Sequence, residues 1–434
     1  MKWFVGAAII LVLAMLLQAG PLVYAMYALL SLLVVSRLLA QTWISSLRAE
    51  RTYGALTADV GEQVSVLVTI RNDSRMPIPW VLTEELLPKH ALAYDPPNLA
   101  LSGSQINLSM LWGKKRKSLL YQLTCNRRGY YQLGPIVVET GDLFGLHRRF
   151  RVETQPHFLT VYPKVIPIEG YDISSKRPIG EVRMTYRLYE DPTRIAGVRS
   201  YQPGDPLNRV NWKATARTGE LHSKVYEPST VAGVTLLLDF HRDSYDRKNE
   251  PMRSDLAITA TASIANAVYE MGQQTGLVSN GRDAADRISQ EGWDHDWRTR
   301  DAALRAAGMK DKSDRLRPVS VETRRGADQF MRIRETLARL ELTDGLPFAN
   351  LVNESLSELP RDATVVAILR RVTTDAVVAL ANMQKNGFAV AAIINVHQED
   401  VYAQAAGPLL AHGIPTHHLK EESYIPGICR NQLM

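Results

Sequence analysis

One short segment concentrates side chains whose types and spacing could do chemistry. It holds Arg199, Tyr201, Pro203, Gly204 and Asp205 within seven positions. The Pro-Gly pair predicts a turn, because proline presets φ at one corner and glycine accepts a positive φ at the next. A carboxylate directly after such a turn can accept hydrogen bonds from backbone amides or pair with a neighbouring arginine.

A tryptophan surrounded by cations follows this turn. Trp212 has Arg209, Lys213 and Arg217 as neighbours in the sequence. Two interpretations stay open on the residues alone. The segment is either a solvated charged turn beside a tryptophan that packs on a core, or a structural or partner-contact cluster.

Several motifs, found in the same order along the chain, resemble those of a bacterial family known as domain of unknown function fifty-eight. The resemblance implies a membrane-anchored protein with a β domain and a von Willebrand factor A-like domain. It also implies a MoxR-type AAA+ ATPase as partner, since such proteins are often encoded beside one, and it implies no known reaction. The matching motifs are Arg127–Pro135, Asp142–Leu146, Val161–Pro163, Arg199–Asp205, Asn211–Trp212 and Ala216–Gly219.

A possible metal site follows the apolar run at 234–238. Asp239 ends that run, and ligands collect at the carboxyl ends of parallel strands. A domains with a working magnesium site read Asp-x-Ser-x-Ser here, but this chain has His241 and Asp243 in place of the serines. Where a distant acid would arrive, the chain has Arg370 and Arg371, which would repel a divalent ion. We therefore expect no cofactor, and at most a degenerate site at Asp239 and Asp243.

Composition excludes several other classes of protein. The 434 residues are 45% hydrophobic and 22% charged, which excludes wholesale disorder. Two cysteines, Cys125 and Cys429, cannot form a four-cysteine zinc site and do not indicate a disulfide framework. A net charge of +6 is mild for this length and does not call for nucleic acid. The sequence has no Walker A loop, His-Glu-x-x-His motif or nucleophile elbow.

The N-terminal region, residues 1–44, predicts a transmembrane hairpin. Apolar runs at 4–17 and 22–35 flank a short break, and each approaches membrane-spanning length when extended. A signal peptide is the competing interpretation of the first run. Lys2 precedes the pair, whereas Arg37, Arg48 and Arg51 follow it, so the positive-inside rule predicts an inner-membrane protein with its bulk in the cytosol.

The next region, residues 50–165, predicts a β-sandwich of immunoglobulin type. Short β-branched runs such as Gln63–Ile70 alternate in polarity and are separated by turn residues. The basic run Lys114–Lys117 between strands is either a solvated loop or a contact with anionic lipid. Residues 166–200 then form a connecting arm, which is either a mobile linker or an ordered segment beside the turn at Pro203.

The last region, residues 201–434, predicts a doubly wound α/β domain. Continuous apolar runs at 234–240, 364–369 and 388–394 alternate with helical patterns, as in a parallel sheet. The stretch at 282–325 is highly charged and predicts an irregular insertion. The resemblance adds the von Willebrand A-like assignment.

These observations favour a non-enzymatic, membrane-anchored adaptor. It would contact membrane lipid and a MoxR-type ATPase, but no nucleic acid. A metal- or ligand-binding protein or enzyme using the carboxylates of Asp205 and Asp239 is the alternative.

Overall fold

The computed structural model describes residues 2–92, 94–143, 145, 147–168, 190–202, 210–228, 233–246, 248, 250–291, 316–360 and 363–428. Two compact units divide the chain. The first comprises residues 1–164, 282–315 and 334–341, and the second comprises 165–281, 316–333 and 342–434.

Two apolar helices begin the first unit. Helix α1 spans Lys2–Leu16 and α2 spans Gly20–Ser46. They separate at Gln18, whose φ of 53° breaks the helical path. Only α2, among the described residues, is both long and apolar enough to cross a membrane, and few of the residues in its most apolar window are buried. The predicted N-terminal apolar segment is therefore present, whereas a two-span hairpin stays a prediction.

Strands make up most of the described residues between 47 and 164. Helix α2 runs directly into strand β1, and a core that includes Trp43 and Ile44 of the helix fills the space among the strands. Strand β3 buries every second residue, which explains its alternating sequence. Three sheets form, ordered β1-β3-β7-β5, β10-β9-β4-β6 and β2-β11-β8. Their strands are β1 Leu47–Tyr53, β2 Thr57–Asp59, β3 Gln63–Asn72, β4 Ile78–Glu85, β5 Leu99–Ser102, β6 Ile106–Leu111, β7 Arg116–Cys125, β8 Gly129–Leu133, β9 Ile136–Gly141, β10 Arg148–Val152 and β11 His157–Tyr162.

The second unit contains a two-stranded arm and a six-stranded sheet. In the arm, β12 (Glu190–Ser200) pairs antiparallel with β13 (His222–Pro228). Part of the predicted connecting segment is therefore a strand, while residues 169–189 lie outside the described chain. The sheet has the order β17-β15-β14-β19-β20-β21 and is parallel except for β17. Its strands are β14 Gly233–Leu238, β15 Gln274–Ser279, β17 Val319–Arg324, β19 Ala363–Leu369, β20 Ala389–Ile394 and β21 Thr416–His418.

One strand of this sheet comes from the stretch predicted as an irregular insertion. Strand β17 takes an edge position beside β15. A two-residue pair, β16 (Arg282–Asp283) with β18 (Leu340–Glu341), also starts inside that stretch, and residues 292–315 lie outside the described chain. The remaining helices are α3 Lys89–Leu92, α4 Trp212–Thr218, α5 Met252–Glu270, α6 Ala284–Glu291, α7 Ala327–Arg339, α8 Phe348–Ser355, α9 Thr374–Lys385 and α10 Glu399–Ala411.

The prediction of several domains rich in sheet behind an N-terminal apolar helix is confirmed. The central strands β14, β19 and β20 are mostly buried, which explains why their sequences are continuously apolar.

Candidate functional site

The carboxyl edge of the six-stranded sheet is the place where a ligand would bind. The sheet order reverses between β14 and β19, and open α/β sheets bind ligands at such a point. Leu238 pairs with Ile368, and the Asp239 N–H donates to the Ile368 carbonyl at 3.0 Å. Asp239 and Arg370 therefore leave neighbouring strands at the same end of the sheet.

Asp239 is a buried carboxylate, 1% exposed. Its Oδ1 atom accepts hydrogen bonds from the His241 N–H at 3.3 Å and from Nδ2 of Asn280 at 3.0 Å. Its Oδ2 atom is buried without a hydrogen-bond partner of normal geometry among the described residues. Burial raises the pKa of Asp239, and this effect outweighs the nearby Ser244 hydroxyl and Asn280 amide, which lower it.

Asn280 fixes the loop that carries Asp239. Its Oδ1 atom accepts from the Phe240 N–H at 2.6 Å, and its Nδ2 atom also donates to the Leu346 carbonyl at 2.9 Å. The side chain is 1% exposed, so these bonds replace all of its contacts with water. Sequence reasoning missed Asn280. Its position directly after β15, on the strand next to β14, was the available signal.

Asp243 does not join Asp239 in one buried group. It lies in a single 3₁₀ turn, Arg242–Ser244, and its side chain is 83% exposed. The Asp243 N–H donates to Nδ1 of His241 at 3.2 Å, which leaves the proton of a neutral His241 ring on Nε2. No group of three or more His, Cys, Asp or Glu side chains in the described part of the chain is placed to hold a metal ion.

Two arginines bring positive charge to the same edge. Arg370 pairs with Asp246, Nη2 to Oδ2, at 3.4 Å. Arg253, near the start of α5, is 7% exposed and donates to the Lys420 carbonyl at 2.8 Å. Burial and the neighbouring Arg370 both lower the pKa of Arg253. Cations at this edge disfavour a bound divalent ion, and the degenerate metal site at Asp239 and Asp243 stays a prediction.

The structure describes only part of the other predicted cluster, which runs from Arg199 to Arg217. Arg199 lies near the end of β12, and the N–H of the following Tyr201 donates to the Leu221 carbonyl at 2.8 Å. The N–H of Asn211 donates to the His222 carbonyl at 2.8 Å, which brings the start of α4 to the same end of β13. Pro203, Gly204, Asp205 and Arg209 lie outside the described residues.

Trp212 and Arg217 lie on the short helix α4. Asn211 caps the helix through its side chain, which accepts from the Ala214 N–H at 3.3 Å, and Gly219 ends it with φ of 78°. Trp212 is 67% exposed, so the interpretation in which it packs on a core is wrong. The helix instead presents an indole ring on the surface, with Arg217 in its last turn.

Comparisons with known proteins agree with the sequence motifs. A family model described as "Protein of unknown function DUF58" matches residues 197–316, which include β13, β14 and Asp239. The "Uncharacterized protein YeaD" of Bacillus subtilis (strain 168) is 27% identical over 271 residues, covering 62% of this chain. The chain spans 65% of the length of that relative. Together they support a bacterial family of unknown function.

Solved structures resemble parts of the chain weakly. The CARDB domain of a Pyrococcus furiosus protein matches with a TM-score of 0.20 and 13% identity, covering 26% of this chain and 91% of that domain. The pilus adhesin SpaC of Lactobacillus rhamnosus GG matches with a TM-score of 0.30 and 11% identity, covering 46% of this chain and 30% of the adhesin. Likeness at these scores carries no argument about function.

Proposed function

We propose that the protein is a membrane-anchored adaptor whose second unit presents a docking surface for a MoxR-type AAA+ ATPase. The observation that carries the proposal is the exposed Trp212 on a capped helix within the segment that matches the family. Tryptophan and arginine are the residues most enriched at energetic hot spots of protein interfaces. An exposed indole on a helix that also carries Lys213 and Arg217 has the composition of a partner contact.

The surface is preorganised for binding. The caps at both ends of α4 hold Trp212 in place, so little conformational freedom of the backbone is lost when a partner binds. The ATPase itself is inferred from the resemblance of the motifs, and the von Willebrand A-like assignment of the sheet rests on the same resemblance.

The membrane anchor is α2, with α1 as the other arm of a hairpin. The helices pack through Ala7, Met26 and Leu33. Arg37 and Arg48 are exposed after the apolar stretch of α2, so the positive-inside rule favours an inner-membrane protein with both units in the cytosol.

Co-purification with the MoxR-type ATPase of the same bacterium tests the proposal. We expect Trp212→Ala to reduce recovery of the ATPase at least about tenfold, the usual effect of losing one hot-spot tryptophan. Trp112→Ala is the matched control, because Trp112 is also exposed, at 62%, but lies in the first unit. Equal recovery with both variants, or no recovery with the wild-type chain, would refute the proposed contact.

A ligand-binding protein or enzyme using Asp205 and Asp239 is the second candidate. The buried Oδ2 atom of Asp239, which lacks a partner of normal geometry in the described part of the chain, favours it. Calorimetric titration with Mg²⁺ and Mn²⁺ separates the two functions. Binding that disappears in Asp239→Ala would support the second candidate, while the adaptor function predicts no heat of binding.

A further inference from the structure

The turn between β9 and β10 lies beside the apolar helix α2. Ser36 of α2 has its Oγ atom 3.5 Å from Nδ1 of His147, which closes the turn. After Ser36 the helix packs on the strands of the first unit, where Trp43 and Ile44 enter the core. The turn therefore adjoins the point at which α2 meets the folded unit.

This point coincides with the expected depth of the membrane surface. Residues 20 to 37 of α2 span about 27 Å at 1.5 Å per residue, close to the thickness of the hydrocarbon core. Arg37 is exposed at the end of that length, where its long side chain can reach headgroups. The β9–β10 turn lies at the same level of the helix.

The basic run Lys114–Lys117 lies farther along. The Asp73 N–H donates to the Ser46 carbonyl at 2.9 Å, and the neighbouring Asn72 N–H donates to the Lys115 carbonyl at 3.0 Å. The run is thus associated with the last residue of α2, ten residues or about 15 Å beyond Ser36. The basic run and the β9–β10 turn are the two candidate contacts with lipid. The turn lies at the level of α2 where the membrane surface is expected, so the geometry favours the turn.

The two ends of the turn are tied to each other and to the sheet, and Leu143 exposes an apolar side chain. The Asp142 carboxylate accepts from the His147 N–H at 2.6 Å, and the Asp142 carbonyl accepts from Nε1 of Trp80 at 3.2 Å. At Gly141 a Cβ atom would lie 2.5 Å from the His147 carbonyl oxygen, so the turn closes tightly at its base. Leu143, the residue after Asp142, is nevertheless 73% exposed.

Exposed arginines lie at the end of the turn and on the adjacent helix. Arg148 and Arg149 begin β10 and are exposed, as is Arg37 on the helix. The acidic side chains near them include Glu139, 3.9 Å from Arg148, and the buried Asp142. An exposed leucine close in the chain to exposed arginines matches a bilayer interface, where acyl chains lie beneath anionic headgroups.

We propose that the β9–β10 turn is a second membrane contact, in which Leu143 enters the acyl region while Arg148 and Arg149 bind anionic headgroups. This inference rests on the proposed anchoring by α2. Such a contact would fix the orientation of the first unit on the bilayer, which one helix alone does not do.

Depth-dependent fluorescence quenching in vesicles tests it. The full chain carrying Cys429→Ser and Leu143→Cys is labelled with an environment-sensitive dye, since Cys125 is buried. It is reconstituted into vesicles of phosphatidylcholine and phosphatidylglycerol that contain a nitroxide-labelled lipid. Trp112→Cys in the same background is the matched control. Trp112 is similarly exposed but lies near the C-terminal end of α2. We expect strong quenching at position 143, weak quenching at position 112, and at least twofold weaker quenching at position 143 after Arg148→Gln with Arg149→Gln.

Flotation of the same vesicles separates the two hypotheses. A chain that floats with the vesicles but shows equal quenching at both positions refutes the turn contact and leaves the anchor intact. A chain that does not float refutes the anchor and the turn contact together. Unchanged quenching at position 143 in vesicles of phosphatidylcholine alone refutes the role assigned to anionic headgroups.

Discussion

Nδ2 of Asn280 donates a hydrogen bond to Oδ1 of Asp239 at 3.0 Å, and the two residues are separated by 41 positions in the chain. This bond links the ends of β14 and β15 at the carboxyl edge of the sheet. It stabilises the ionised form of a carboxylate whose pKa is raised by burial.

Replacing Asp239 by asparagine should not destabilise the protein at neutral pH. A buried acid with a raised pKa binds its proton more tightly in the folded state, so its ionisation costs stability as the pH rises. Asp239→Asn removes that cost and keeps an oxygen for the His241 and Asn280 donors. We expect its melting temperature to match or exceed the wild-type value at pH 7 and to converge with it near pH 4, the ordinary range of an aspartate.

Asp239→Leu is the matched comparison. It removes the acceptor and leaves two buried N–H groups unpaired, at a cost of about 2 kcal/mol. Thermal unfolding of both variants in detergent measures the difference. An asparagine variant as unstable as the leucine variant would contradict this account of the site.

Asn280 and Asp239 should behave as a coupled pair. Asn280→Ala removes the bonds to Asp239, Phe240 and Leu346, and we expect a loss of about 3 kcal/mol. In the double variant with Asp239→Leu, which removes the acceptor of this bond, the two effects should differ from additivity by at least about 0.5 kcal/mol, as is usual for residues in contact. Denaturant unfolding of the four chains completes the cycle, and strict additivity would show that the bond contributes nothing.

A buried ion pair in the first unit predicts a pH dependence of stability. Glu85 lies 2.7 Å from Arg51, and both side chains are almost fully buried. Burial raises the pKa of Glu85 to about 7, and the smaller opposing effect of Arg51 does not cancel it. The folded state therefore takes up a proton between pH 4.5 and 7, and stability falls as the pH rises through this range.

Glu85→Gln should flatten this part of the pH profile. The glutamine resembles the protonated acid, so the decrease between the two pKa values, on the order of 3 kcal/mol, should disappear. Glu84→Gln, at the adjacent position, is the control. Melting temperatures measured from pH 4 to pH 8 check the result, and an unchanged slope in Glu85→Gln would assign the dependence to other groups.

Gly134 should not tolerate a side chain. Its φ is 84°, and a Cβ atom there would overlap the guanidinium of Arg51. That guanidinium cannot move freely, because it pairs with Glu85 and donates to the Leu133 carbonyl at 2.7 Å. We expect Gly134→Ala to cost about 3 kcal/mol or more, the range for a broken buried ion pair.

Gly61→Ala is the control that separates the cost of backbone strain from the cost of the overlap with Arg51. Gly61 also has a positive φ, 96°, but a Cβ atom there meets open space. The difference in unfolding free energy between the two variants measures the clash with Arg51. Equal losses would show that Arg51 moves aside without cost.

The sequence alone determined the elements that are encoded locally. An apolar run that approaches membrane-spanning length when extended predicted α2. Continuous apolar runs predicted β14, β19 and β20, since a strand buried on both faces has no polar alternation. The position of Asp239 directly after β14 followed from the same pattern. These features depend only on residues that are near one another in the chain.

The tertiary structure decided which distant residues meet. It placed Asn280 on Asp239, Arg370 near Arg253, and the edge strand β17 beside β15 from a stretch that reads as an irregular insertion. It also put the β9–β10 turn, rather than the basic run, beside Ser36 of α2. Such pairings depend on the order and register of strands that are far apart in sequence, and hydrophobic periodicity, which is a local property, carries no information about them.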